Sequence, residues 1–538
     1  MADRRAWTHG SQQEEDPMAH DAPFSPVTRR RFLGGMAALA GTAALPLSGG
    51  SALAQATPEA LGTPGGTLRV TLGAEPDTLD PHKGSTLFDI DVFGALYDAL
   101  INDDISESVK GDLAESWDSP DATTWTFKLR AGATFHDGSP IDSAAVKGTI
   151  DRIKDPATGA VGFVTVTTDE IASVDTPDAA TVVFTLNAPS ATFPIKMADI
   201  KIVPPNFDAT NPVGSGPFTF VEWVRNQHVR VAKNPNYYKS GLPLLDGVEF
   251  LPTPEENQKI VLLQTGGVDL TDTLPLARAK EIQEGGEFQV FSIPKGVAPS
   301  SYFVLCNTTD PLLSDARVRR AMNFAIDRQA LDDAVFNFGA IKSNFIPPEN
   351  WAFNPNALSF NERDVDQAKS LMQEAGHGDG FKIQLKHITS RAEYTDLAQI
   401  FQANMADIGI EVEIIPKEIG VWVEEVLGNH DYQLGMTGNL PGADPDQIMS
   451  VYDIANEDGA AMGWKDDEFL DLLKQGRATV DQEARKTIYF RMQEIVQEAS
   501  PGFVLHERPI LCAAAPAVQN FHVSLRQFLH FESVWLQQ

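Results

Sequence analysis

Gly65-Gly66-Thr67-Leu68-Arg69-Val70-Thr71-Leu72 is where an irregular leader gives way to a fold. Leu68, Val70 and Leu72 alternate with Arg69 and Thr71, the period of a strand with one buried face. Immediately upstream, Ser48 to Gly66 is a linker of small residues with Gly and Pro. Downstream, Trp125-Thr126-Phe127-Lys128-Leu129 and His228-Val229-Arg230-Val231 repeat the alternation. Helical stripes crowd the later half. Val365, Ala368, Leu371 and Met372 follow Asp364 and close at Gly376; Leu397, Ile400, Phe401 and Ile408 share one face and stop at Gly409. Ile488, Tyr489, Met492, Ile495 and Val496 form a third stripe, ended by Pro501. Strands and helices interleave throughout, so the fold class is α/β.

The chain has 538 residues, and 74 Asp+Glu against 42 Lys+Arg give it a formal charge of −32. Such a balance excludes a nucleic-acid or anionic-membrane binder, because phosphates are held by basic patches; it fits a well-hydrated soluble surface. With 42% hydrophobic and 22% charged residues the chain is globular rather than disordered. At about 150 residues per domain it has room for roughly three to four domains or lobes. Two cysteines, Cys306 and Cys512, cannot form a disulfide scaffold or a four-thiolate metal site, and both lie in apolar runs, which reads as two buried thiols.

Residues 1–54 read as an export signal. Thr28-Arg29-Arg30-Arg31-Phe32-Leu33 precedes the apolar, small-residue run Gly34 to Leu47, and Ala52-Leu53-Ala54 offers a small-x-small cleavage site. The run is broken by Gly41 and Pro46 and is shorter than the ~20 residues a membrane span needs. This order of parts resembles a twin-arginine signal, which implies a mature chain starting near Gln55 and soluble outside the cytoplasm. Met18 is an alternative start, since the stretch before Thr28 is long for such a signal.

A hydrolase would show a nucleophile with its partners. Gly214-Ser215-Gly216 runs into Pro217 and reads as a turn, not a nucleophile elbow; Ser292-Ile293-Pro294-Lys295 matches Ser-x-x-Lys only by letter, its proline opposing the helical turn that motif needs. His506-Glu507 has Ile510 where a zinc motif needs its second histidine, and Gly376-His377-Gly378-Asp379-Gly380 lacks the lysine of a phosphate loop. No catalytic residue, metal or cofactor is expected.

From Gly65 to the C-terminus the chain resembles the dipeptide and oligopeptide (family 5) solute-binding proteins of ATP-binding cassette importers. The motifs include Glu75-Pro76-Asp77-Thr78-Leu79-Asp80-Pro81, Leu113-Ala114-Glu115-Ser116-Trp117, Phe135-His136-Asp137-Gly138 and Gly214-Ser215-Gly216-Pro217-Phe218. They continue with Asn234-Pro235-Asn236-Tyr237-Tyr238, Asp315-Ala316-Arg317-Val318-Arg319-Arg320-Ala321, Ala325-Ile326-Asp327-Arg328, Ile408-Gly409-Ile410 and Asp444-Pro445-Asp446. Most of these are scaffold by their chemistry: His136 or Asp137 caps a turn, the 214–218 stretch joins residues able to take positive φ to a proline, and Arg317, Arg319 and Arg320 pair at a helix start near Asp315.

The resemblance implies a two-lobed periplasmic binding protein (type II, with an extra subdomain in the first lobe) and a ligand cleft between lobes. Lobe I would take 65–294, with an inserted subdomain at about 111–212, and the tail 509–538; lobe II would take 295–508. A linker, 55–64, precedes them. It also implies a monomer that binds a small-molecule or peptide-like ligand and meets the transmembrane permease subunits of an importer. Peptide-binding relatives hold the ligand carboxylate with an arginine on a strand-to-helix turn, the position of Arg391 in His387-Ile388-Thr389-Ser390-Arg391-Ala392-Glu393-Tyr394. They hold the amine with an aspartate four residues before the proline of the Asp-Pro pair; here that residue is Pro441, and the aromatic three residues earlier is Gly438. The wall is therefore formed by Gly438, Asn439 and Leu440, and Asp444 either substitutes for the amine anchor or caps the next helix. In the first lobe Gly84-Ser85-Thr86 matches a cleft loop expected to offer backbone amides and hydroxyls. The ligand class left open is a modified peptide, an opine-like conjugate, an oligopeptide, an oligosaccharide or a metal chelate, with an enzyme or chaperone on the same scaffold as the alternative.

Overall fold

A computed structural model describes residues 62–103, 109–389, 391–439, 442, 444–525 and 528–538. The arginine pair, the apolar run after it and the cleavage site lie outside the described residues, as do Leu440 and Pro441.

Two sheets organise the molecule. In the first, strands run in the order Phe218–Val224, His228–Lys233, Gly247–Pro252, Thr67–Leu72, with the last two parallel. Leu270 bridges Val70 to Ala514 and so links the Leu511–Ala514 and Gln289–Ser292 pair to this sheet. Leu68, Val70 and Leu72 are wholly buried. Thr71, assigned to an open face by the alternation, is buried as well, because the segment 269–272 covers that side and Asp272 accepts its hydroxyl at 2.7 Å. The second sheet has the order Ile410–Lys417, Phe381–Ile388, Leu434–Asn439, Ser301–Cys306, Gly502–Glu507. Its strand Ser301–Cys306 is buried along its whole length, between helices whose stripes supply Leu371, Leu397, Phe401, Tyr489 and Met492.

A third, antiparallel sheet, ordered Ala114–Asp118, Thr124–Leu129, Thr181–Leu186, Ile171–Asp178, has its own core around Trp125, Phe127, Phe184 and Phe193. It is fastened to the first sheet's side of the molecule by polar links. Asp80 receives two guanidinium nitrogens of Arg152, at 2.7 and 3.1 Å, and His82 accepts from the same arginine while donating to the Lys201 carbonyl at 2.9 Å. Gly214 and Gly216 do not take positive φ. Their lack of a side chain is needed because a Cβ at Gly214 would stand 1.9 Å from the Leu96 carbonyl oxygen. His136 braces that stretch, accepting from the Gly214 amide and donating to the Gly216 carbonyl. Arg317 pairs with Asp315, but Arg319 is buried and donates to the carbonyls of Leu313, Ser314, Ala499 and Ser500, tying two helices together.

The chain crosses between the two large sheets twice, from Ser292 to Ser301 and from Glu507 to Leu511. The crossings are bonded to each other, the Arg508 amide donating to Ser300 O at 3.2 Å and the Ser300 hydroxyl to Arg508 O at 2.7 Å. Buried Lys342 donates to Ala298 O and Pro299 O, and Glu507 accepts the Gly296 amide. At the far edge the Ala191 amide donates to Arg477 O at 2.7 Å, so the lobes also touch across the cleft mouth. Cys306 and Cys512 are free buried thiols in different sheets. Among the described residues no helix is long and apolar enough to cross a membrane, and no three His, Cys, Asp or Glu cluster as metal ligands.

Candidate ligand-binding cleft

The strand Phe381–Ile388 ends in the turn that carries Arg391, and the helix Glu393–Ala406 begins directly after it. This brings Arg391 to a narrow cavity beside the crossings. Lobe I contributes Thr273, Leu274 and Leu511, and lobe II contributes Tyr302, Arg391, Glu393 and Arg508. Arg391 is exposed, and among the described residues no hydrogen bond or ion pair reaches its guanidinium. Glu393, the obvious partner, instead accepts a long bond of 3.4 Å from the Tyr302 hydroxyl. Tyr302 and Tyr394 pack edge to face at 5.6 Å, and burial pushes both hydroxyls above the usual phenol range, so both stay protonated.

Gly438 lies opposite Tyr302 in the sheet. A Cβ there would stand 2.3 Å from the Tyr394 hydroxyl and 3.0 Å from Arg508 Cδ. The wall reads from sequence as merely small; in the structure the space over the glycine is filled by a tyrosine hydroxyl and an arginine stem. Arg508 was not singled out by the sequence reasoning. The available signal was a charged triplet, His506-Glu507-Arg508, closing the apolar run Phe503-Val504-Leu505 just before Pro509.

The first-lobe loop differs from its expected role. The Gly84 amide donates to Asp80 O, and the Ser85 and Thr86 amides donate to Asp89 at 3.1 and 3.0 Å. The Thr86 hydroxyl also donates to Asp89, at 2.7 Å, completing a capping box on the helix Leu87–Leu96. These amides are consumed by the fold and are not offered to a ligand. Only the Ser85 hydroxyl makes no hydrogen bond to a described residue. Ser85 lines a larger cavity of about 320 Å³ that reaches both lobes, bounded by Leu87, Phe163 and Val166 on one side and by Gly442 and Gln447 on the other. Phe163 and Val166 are 66% and 63% exposed, giving this part of the cleft an apolar wall. Beside them Lys196 pairs with one oxygen of Glu170 at 2.6 Å, while the other Glu170 oxygen is buried without a partner.

Asp444 caps the helix Pro445–Met449, and both its oxygens are held by Arg485, at 2.6 and 3.0 Å. Asp446 is buried against Arg477 at 3.0 Å. Both carboxylates are therefore committed within the second lobe. Asn439 ends a strand in register with Ser301.

Two lobes joined by paired crossings, with a guanidinium that no described residue neutralises in a cavity lined from both, are the architecture of a binding protein with its ligand cleft between the lobes. Residues 108–460 match the model of the bacterial extracellular solute-binding proteins, family 5 (middle), and the chain belongs to that family. It is the substrate-binding component of an ATP-binding cassette importer. It is 26% identical over 495 residues to the glutathione-binding protein GsiB of Escherichia coli (strain K12), covering 87% of this chain and 94% of that protein. Among solved structures it is similar to the binding protein AgaA in complex with agropinic acid from A. tumefaciens R10, at 30% identity and a TM-score of 0.69, covering 88% of this chain and 99% of that one. It is likewise similar to the periplasmic binding protein DppA from Helicobacter pylori in complex with peptide STSA, at 25% identity and a TM-score of 0.70, with the same coverage.

Proposed function

We propose that the cleft captures a small carboxylated solute, peptide-like but not an ordinary dipeptide, and that the closed protein hands it to the permease subunits of the importer. Arg391 takes the carboxylate, Ser85 adds a hydroxyl, and the lobes, dividing within the two crossings, close over both. The observation that carries this reading is the unpartnered Arg391 guanidinium in a cavity lined from both lobes. A relative that binds glutathione and another seen with agropinic acid support a carboxylated ligand. Plain dipeptides are disfavoured. Pro441 stands where relatives carry the amine-binding aspartate, Asp444 is occupied by Arg485, and an ammonium desolvated without a countercharge is costly.

Isothermal titration with amine-blocked carboxylates and with dipeptides tests the reading. Arg391→Ala should weaken binding of the carboxylates by about 2–4 kcal/mol, the cost of removing one partner of a buried charged pair. Tight binding of plain dipeptides that survives the substitution would overturn it. Export by the twin-arginine route is part of the same proposal. Changing both Arg29 and Arg30 to Lys should strand precursor in the cytoplasm, and normal export of that variant would refute the signal reading.

A further inference from the structure

Arg391 is not the only cation at the hinge end of the cleft. Arg508 lines the same cavity, and its Nε is buried with no hydrogen-bond partner among the described residues. Its backbone is fixed from both sides, because the amide and carbonyl of Arg508 are bonded to Ser300 in the other crossing. Its stem lies over Gly438, 3.0 Å from where a Cβ would stand. An arginine held this firmly at a hinge, with a nitrogen left unsatisfied, is more than a surface charge.

The charges in the cavity can be counted. Arg391 and Arg508 supply two positive groups and Glu393 one negative group; the Tyr302 hydroxyl is a neutral donor, and the neutral Tyr394 hydroxyl accepts from Arg508. The nearest contact of the Glu393 carboxylate is the 3.4 Å bond from Tyr302 rather than either arginine. A monocarboxylate balances the set in number, but it pairs directly with one guanidinium and leaves the other guanidinium and Glu393 apart, since Glu393 bonds to neither arginine here. A free amino acid head matches one arginine and the glutamate and still leaves the other cation. The inverse of the set, two negative groups flanking one positive group, neutralises all three.

We infer that Arg508 is a specificity-determining residue which, with Arg391 and Glu393, selects a solute whose head carries two carboxylates on either side of a secondary ammonium. This rests on the reading that the cleft takes a carboxylated solute. Each guanidinium takes one carboxylate and Glu393 takes the ammonium between them. The hinge cavity itself measures about 20 Å³, the space of one water, so the head must enter while the lobes are apart and the exposed Arg391 must swing to meet it.

The test is titration of the mature protein with three probes that share a phenyl body: N-acetyl-phenylalanine, phenylalanine and N-(1-carboxyethyl)-phenylalanine. The dicarboxylate should bind at least tenfold more tightly than either other probe, and Arg508→Gln should bring that ratio below threefold. Gly438→Ala, which pushes on the Arg508 stem and the Tyr394 hydroxyl without touching a charge, should lower the ratio in the same direction and decides the matter if Arg508→Gln does not fold. Arg391→Ala should weaken all three probes. If the three bind alike, or the ratio survives both Arg508→Gln and Gly438→Ala while binding still depends on Arg391, the role of Arg508 is refuted and the carboxylate reading stands. If no probe binds, or binding ignores Arg391, the carboxylate reading falls and this inference falls with it.

Discussion

Two strand-to-helix turns line the cleft, one from each lobe, and they treat their polar groups in opposite ways. In the first, between the strand Thr67–Leu72 and the helix Leu87–Leu96, nearly every donor is consumed inside the fold: Asp89 accepts from Asp77, Ser85 and Thr86, Asp80 is held by Arg152, and His82 bridges Arg152 to Lys201. In the second, between the strand Phe381–Ile388 and the helix Glu393–Ala406, no described residue bonds to the Arg391 guanidinium. A polar group with all its bonds made shapes a site; one with bonds unmade is what a ligand can complete. On the proposed reading the first turn is a rigid wall and the second is the grip.

The largest expected effect breaks the wall. Asp89→Ala removes the buried carboxylate that accepts the amides of Asp77, Ser85 and Thr86 and the Thr86 hydroxyl, and so unties the turn. Such losses cost about 1–3 kcal/mol each when nothing replaces them, and with partial rescue by water the total should be about 4 kcal/mol. Urea unfolding of the ligand-free protein measures it. A loss under about 1 kcal/mol would mean that the loop's bonds are not structural, and the contrast between the turns would collapse. Arg391→Ala, removing an exposed and unpartnered side chain, should leave the same unfolding curve within about 0.5 kcal/mol.

Much of this contrast was legible in the sequence, though not all of it was read. The strand alternation, the helical stripes and their glycine stops came from periodicity, which survives because each element buries one face against a sheet. Arg391 is singled out by the resemblance to peptide-binding relatives, which hold a carboxylate on such a strand-to-helix turn, and not by any local period. The consumption of the first loop was also encoded, since Thr86 three residues before Asp89 is a capping-box spacing. It went unread because the same residue types suit ligand contact. Arg508 is a different case. It meets Arg391, Tyr394 and Gly438 only because strands distant in sequence are neighbours in the second sheet, a pairing that no local period carries. The burial of Thr71 has the same cause, a covering segment some two hundred residues away.

A smaller effect sharpens the comparison through pH. His82 belongs to the wall: it is buried, accepts from Arg152 and donates to Lys201 O, so it must be neutral, and burial with the adjacent guanidinium lowers its pKa to about 4, against the partial opposition of the Lys201 carbonyl and, less, of Asp80. The unfolded chain holds this imidazole near 6.5, so between those values it binds protons that the folded protein does not. Stability from His82 is therefore fully present above pH 6.5 and is lost as pH falls toward 4. Between pH 6.5 and 4.5 the linkage amounts to about 2 kcal/mol. His82→Gln can keep one acceptor and one donor but cannot titrate, so over that interval it should lose about 2 kcal/mol less than the parent does. Unfolding curves at the two pH values decide it, and parallel acid limbs in parent and variant would show that this histidine is not held neutral.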